Sequence, residues 1–102
     1  MAHDGNPTVE QYGPYIGIQW QDGPVGTYGV NGAQLDDVLR ACQARLEALD
    51  RRQASPENAA TFAALTDARR WQAVRTAVRV AAGVEGTDGP HPTGLAWEDV
   101  SK

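Results

Sequence analysis

Residues Tyr15 to Gln21 alternate: Ile16, Ile18 and Trp20 fall on one side, Tyr15, Gly17, Gln19 and Gln21 on the other. This period of two predicts a half-buried strand with Trp20 inward. Asp22-Gly23-Pro24 supplies a turn, and Val25 to Val30, interrupted by Gly26 and Gly29, is expected to return as a second strand. A hairpin this short needs something to pack on. After Asn31-Gly32 the period changes, and Leu35, Val38, Leu39, Cys42, Leu46 and Leu49 recur at three- and four-residue spacing. They predict an amphipathic helix over 33–52, with Asn31 as N-cap and Gln34 completing a reciprocal cap.

Gln53-Ala54 forms a short connection, Ser55 is placed to cap a second helix, and Pro56 suits its first turn. Nothing interrupts the helical pattern until Gly83, so two long antiparallel helices follow the hairpin. Residues 1–14 have no period and read as a flexible arm. Residues 88–102 read as a mostly irregular tail in which Leu95-Ala96-Trp97 is expected to dock back on the body. The expected fold is α+β: a short N-terminal antiparallel β-hairpin packed on two long α-helices, forming a single ligand-binding domain over 15–87.

On a helical wheel, Ala60, Ala64, Trp71, Val74 and Val78 share the face expected to pack on the first helix and the hairpin. Phe62, Leu65 and Val80 lie on the opposite side, and a helix that is apolar on two sides usually has two neighbours. In a chain of 102 residues the second neighbour is expected to be another subunit.

Composition sharpens this expectation. Three Trp, three Tyr, one Phe and one Met leave the core to Leu, Val, Ile and Ala, and a core of that kind gains from oligomerisation. The net charge of −4 argues against general DNA or RNA binding, which needs a broad positive surface. The single cysteine, Cys42, is expected to be a packed thiol on the apolar stripe, consistent with a reducing cytosol. No segment approaches the roughly 18 apolar residues of a membrane span, so a soluble, unexported protein is expected.

No catalytic or metal-binding residues are identified. His3 and His91 sit among Gly and Pro without metal-ligand spacing, and no serine occupies a nucleophile elbow. The neighbouring carboxylates Asp36-Asp37 and Glu98-Asp99 face different ways. No cofactor is implied, and the inventory points to binding rather than turnover.

Positive charge is concentrated on the second helix. Between Ala59 and Ala82 it carries Arg69, Arg70, Arg75 and Arg79 against one carboxylate, Asp67. Arg75 and Arg79 are one turn apart, and neither has an acid three or four residues away, so no local ion pair is expected to use them. Two parallel guanidinium forks suit phosphate oxygens, but arginines near a helix C-terminus also complement its dipole, and on spacing alone that reading outweighs the first. In the same way, Trp71 reads first as packing and only second as a base-stacking platform, and Asn58 reads first as a supplement to the cap.

Two strings shift this balance: IQWQDGPVGTYGVNG at 18–32 and PENAATFAALTDARRWQAVRTAVRVAAGVEGT at 56–87. In this order they resemble the phage Thoeris anti-defence one family, which shares a helical hairpin with the anti-CBASS protein two sponges. The resemblance implies a protein in the cytoplasm of an infected bacterium that binds cyclic ADP-ribose isomers made by TIR-domain enzymes, without cleaving them. It also implies separate pockets for cyclic di- or trinucleotides and a homo-dimer, or a homo-hexamer built as a trimer of dimers. Matched string by string, Asn58 falls on a ligand-contacting asparagine, and Arg75 and Arg79 on a pair that grips the pyrophosphate. Where relatives stack an aromatic on adenine near the end of the first helix, this chain has Leu49, and the loop that follows is one residue shorter, which leaves Trp20 or Tyr28 to supply the platform. The competing reading is an oligomeric structural or adaptor protein without a nucleotide ligand.

Overall fold

A computed structural model describes residues 8–91. Their order is strand β1 (Val9–Gln11), strand β2 (Gly17–Gln19), a single helical turn α1 (Val25–Tyr28), and the long helices α2 (Leu35–Arg52) and α3 (Pro56–Ala81). The architecture is α+β, as expected from the change of hydrophobic period. The predicted docking of Leu95 and Trp97 falls outside the described residues.

The hairpin forms one element earlier than the alternation predicts. β1 and β2 pair antiparallel in the register Val9 to Gln19, Glu10 to Ile18 and Gln11 to Gly17. The chain therefore turns through Gly13, at φ 80°, and Pro14. Part of the segment read as a flexible arm is thus a strand. Val25–Tyr28 instead closes locally, because the Pro24 carbonyl accepts from the amides of Thr27 and Tyr28 at 3.0 and 2.9 Å. Side chains then seal the loop. Asn31 bonds both the amide and the carbonyl of Asp22 at 2.8 Å, and Gln21 Nε2 donates to the carbonyls of Gly23 and Gly29.

That use of Asn31 removes it as a helix cap. α2 instead starts from Gln34, whose amide donates to Asp37 Oδ2 at 2.8 Å. Ser55 caps α3 as expected, its Oγ accepting from the Asn58 amide at 3.0 Å, with Pro56 in the first turn. α3 ends in a Schellman motif: the Val84 amide donates to the Arg79 carbonyl, the Gly83 amide to that of Val80, and Gly83 takes φ 74°.

The two long helices run antiparallel, since Asp36 reaches Arg69 while Gln43, two turns further along α2, reaches back to Thr66 and Phe62. The face of α3 that meets α2 is therefore the one carrying Phe62, Thr66 and Arg69. Ala60 and Ala64, predicted to face inward, are exposed. Alanine offers little area to bury, whereas Arg69 and Thr66 find hydrogen-bond partners across the interface, and those partners set the rotation of the helix.

Among the described residues no apolar side chain is buried; the only buried residues are Gln43 and Arg79. The stripe on α2 divides, with Val38, Leu39 and Leu46 half-buried and Leu35, Leu49 and Cys42 exposed. The packed thiol expected at Cys42 is thus a surface thiol in the single chain. Tyr15 is 94% exposed and Val30 76%. The Cα radius of gyration is 16.5 Å, against about 13 Å for a compact domain of this length. No helix among the described residues is long and apolar enough to cross a membrane.

Candidate functional site

Three elements enclose a cleft of about 850 Å³: the loop entering α1, the first turn of α2, and the C-terminal half of α3 with the turn that follows it. α3 contributes Arg69, Arg75, Thr76 and Arg79, α2 contributes Leu35 and Asp36, and the turn contributes Glu85 to Thr87. The first wall is backbone-rich because Gly23, at φ 79°, lies under the ring of Tyr28; a Cβ there would sit 2.5 Å from Tyr28 Cδ2. The turn after α3 is held against α1 by the Gly26 amide donating to the Gly86 carbonyl at 2.7 Å. A Cβ on Gly26 would meet that oxygen at 2.4 Å, so the approach requires glycine.

The three cleft arginines differ in what they already hold. Arg69 is fully engaged: its Nε and Nη2 donate to the two oxygens of Asp36 at 2.8 and 3.2 Å, and its Nη1 to Gln43 Oε1 at 3.0 Å. The hydrogen bonds from Arg69 hold the Asp36 carboxyl below its ordinary range, outweighing the opposing cost of desolvation. Arg79 is also engaged. Its Nε donates to Glu85 Oε1 at 3.2 Å, and its Nη2 to the carbonyls of Val84, Thr87 and Gly89. Arg75, one turn before it and exposed, has no ion pair or hydrogen bond to its guanidinium among the described residues.

The cleft therefore sets three guanidiniums against two carboxylates, and the uncompensated charge sits at Arg75. Such a site can take an anion from one side. Among the described residues no group of three or more potential metal ligands occurs.

No family model matches the chain. Over 82 residues, 78% of the chain, it is 34% identical to the protein Thoeris anti-defense 1 of Bacillus phage SBSphiJ7. The chain is thus similar to Thoeris anti-defense 1 along most of its own length. It spans 58% of that relative's length.

In this chain the residues singled out from the sequence separate into groups. Arg75 and Arg79 line one cleft, but the expectation that both lack carboxylate companions fails at Arg79. The acid that neutralises it, Glu85, lies six positions on, past the end of the helix, where the Schellman turn brings it back. A search at helical spacings of three and four cannot find it. Asn58 and Leu49 lie at the opposite, closed end of the helical hairpin. The seventeen residues from Asn58 to Arg75 span about 25 Å of α3, so one chain does not bring these groups together.

Neither Trp20 nor Trp71 lines the cleft. Trp20 is half-buried, donates from Nε1 to the Tyr12 hydroxyl at 2.9 Å and packs edge-on against that ring. Trp71 is half-buried and lies beneath the Arg70 guanidinium, 5.1 Å from ring centroid to Cζ. The residues that sequence reasoning missed are Asp36, Arg69, Gln43 and Glu85. Asp36 and Arg69 are 33 positions apart, and no local spacing signals their pairing.

Proposed function

We propose that this protein is a phage anti-defence sponge, which captures and holds a cyclic ADP-ribose isomer of TIR-dependent Thoeris immunity without cleaving it. The observation that carries the reading is the guanidinium of Arg75, left without a carboxylate in a cleft large enough for a nucleotide. The similarity to the Bacillus phage protein supports an anti-defence role, and that protein's name refers to Thoeris. Capture without turnover agrees with the cleft lining, in which both carboxylates, Asp36 and Glu85, are already paired with Arg69 and Arg79.

The separation of Asn58 and Leu49 from Arg75 is resolved by a second copy. If two helical hairpins lie head to tail, the closed end of one faces the cleft of the other, and a pyrophosphate on Arg75 can be met by Asn58 across the interface. That no apolar side chain is buried among the described residues of one chain supports such pairing, whether the assembly stops at a dimer or continues to a hexamer. Further pockets between subunits would take the cyclic di- or trinucleotides of CBASS immunity. A sponge of this kind acts in the cytoplasm of the infected host and in stoichiometric amount, so slow release matters more than rate of capture.

The test is incubation of the purified protein with a TIR-produced cyclic ADP-ribose isomer, followed by heat denaturation. Intact ligand should be recovered; a converted product would establish turnover and reject the sponge. Arg75→Ala removes a charge-assisted contact of about 1.5–3 kcal/mol and should weaken binding by roughly ten- to a hundredfold. The exposed apolar residues also favour an adaptor that uses these faces for partner contacts alone. That reading requires thermal stability indifferent to the nucleotide, whereas a binder is stabilised by mass action.

A further inference from the structure

The two arginines that share the cleft wall are in opposite situations. The side chain of Arg79 is 7% exposed, and one of its nitrogens, Nη2, gathers three carbonyls: Val84 at 3.0 Å, Thr87 at 3.3 Å and Gly89 at 2.9 Å. Its Nε is taken by Glu85. The turn it gathers is tied at other points as well. Thr87 Oγ1 donates to the Val84 carbonyl and accepts from the Gly89 amide, and the Gly86 carbonyl is held by Gly26 across the cleft.

For a phosphate to take the Nε–Nη2 edge of this guanidinium in a two-pronged grip, Glu85 must leave and up to three carbonyls must be stripped of their donor, each at the cost of an unmade hydrogen bond, so that only Nη1 is open to a single contact. Arg75, on the same face one turn earlier, needs no such disruption. Glu85 has a further consequence, because it places a negative charge in the wall that an incoming anion meets.

We propose that Arg79 is a positioning residue that shapes the cleft by clasping the 84–89 turn, that Arg75 makes the direct phosphate contact, and that Glu85 limits how strongly the cleft attracts anions. The inference rests on the anion-binding reading of the cleft. It assigns to Glu85 a part in selectivity: a fully neutralised Arg79 leaves one net positive charge for the ligand, so a group that brings its own geometric fit to Arg75 is favoured over anions held by charge alone.

The experiment uses the full chain and inorganic pyrophosphate as probe, with affinity measured calorimetrically at two ionic strengths and amide hydrogen exchange measured at Val84, Thr87 and Gly89. In Glu85→Gln the amide oxygen still accepts from Nε, so exchange should stay slow while pyrophosphate binds about tenfold tighter, with a steeper salt dependence. In Arg79→Lys the charge remains but the fork is lost. Exchange at Thr87 and Gly89 should rise at least tenfold, and binding should weaken with the salt dependence unchanged. Arg75→Ala should weaken binding, flatten the salt dependence and leave exchange at the turn untouched.

The proposal is overturned if Arg79→Lys keeps the turn protected, or if it flattens the salt dependence as Arg75→Ala does. Unchanged affinity in Glu85→Gln, with a wild-type protein that binds, rejects the selectivity role alone. Failure of the wild type to bind pyrophosphate rejects the anion-binding reading, and the inference falls with it.

Discussion

Gln43 is one of two buried residues among those described, and it stands where an apolar residue would normally join two helices. Its amide nitrogen donates to Thr66 Oγ1 at 2.8 Å and to the Phe62 carbonyl at 3.3 Å, while its oxygen accepts from Arg69 Nη1 at 3.0 Å. Gln43→Ala removes all three. The two neutral bonds contribute about 0.5–1.5 kcal/mol each and the charged one about 1.5–3, but the losses do not add in full. Thr66 Oγ1 already donates to the Phe62 carbonyl at 3.1 Å, which softens its loss. Arg69 keeps Asp36.

A net destabilisation of about 2–3 kcal/mol follows, which for a domain of about 100 residues lowers Tm by roughly 10–20 °C. The assay is urea unfolding of wild type and variant at one protomer concentration, because assembly contributes to apparent stability. A loss below about 0.5 kcal/mol with an unchanged m value would refute the reasoning, since it would show the network fully replaced by water.

Other consequences are simpler to state. Arg69 lowers the pKa of Asp36 below its ordinary value of 3.8, so the stabilisation is present above that pH and lost as pH falls through the lower folded-state value; Asp36→Asn should flatten the acid limb of a stability-against-pH curve, and an identical limb would remove the pair from the account. Gly26→Ala should cost about 1–3 kcal/mol and loosen the turn after α3, because the added Cβ meets the Gly86 carbonyl at 2.4 Å; thermal unfolding checks it, and an unchanged Tm would show that the approach is not close in solution. Dilution should lower Tm and shift the sedimenting species toward monomer, since one chain buries no apolar side chain among the described residues; a Tm independent of concentration would show a self-sufficient monomer.

Much of the scaffold was legible along the chain because its signals are local. Ser55 and Pro56 start α3, and Gly83 stops it, through contacts within a few residues. The strand at Gly17–Gln19 announced itself by alternation, but its partner did not: the choice between Val9–Gln11 and Val25–Val30 depended on Asn31 and Gln21 closing the later segment into a loop. The rotation of α3 follows only in part from hydropathy for a similar reason. Of the face expected inward, Trp71, Val74 and Val78 are half-buried but Ala60 and Ala64 are exposed, because polar bonds across 19 to 33 residues, from Gln43 to Phe62 and Thr66 and from Asp36 to Arg69, set how the helix meets its neighbour.

At the site, the sequence by itself determined that guanidinium groups would crowd the end of one helix, since their spacing follows from helical geometry. Which of them remains available was decided only by tertiary structure. The reversal at Gly83 returns Glu85 and three carbonyls to Arg79, while Arg75, one turn earlier, lies beyond their reach. A helical period describes one element at a time, but the charge an arginine offers a ligand depends on every group the folded chain brings to it.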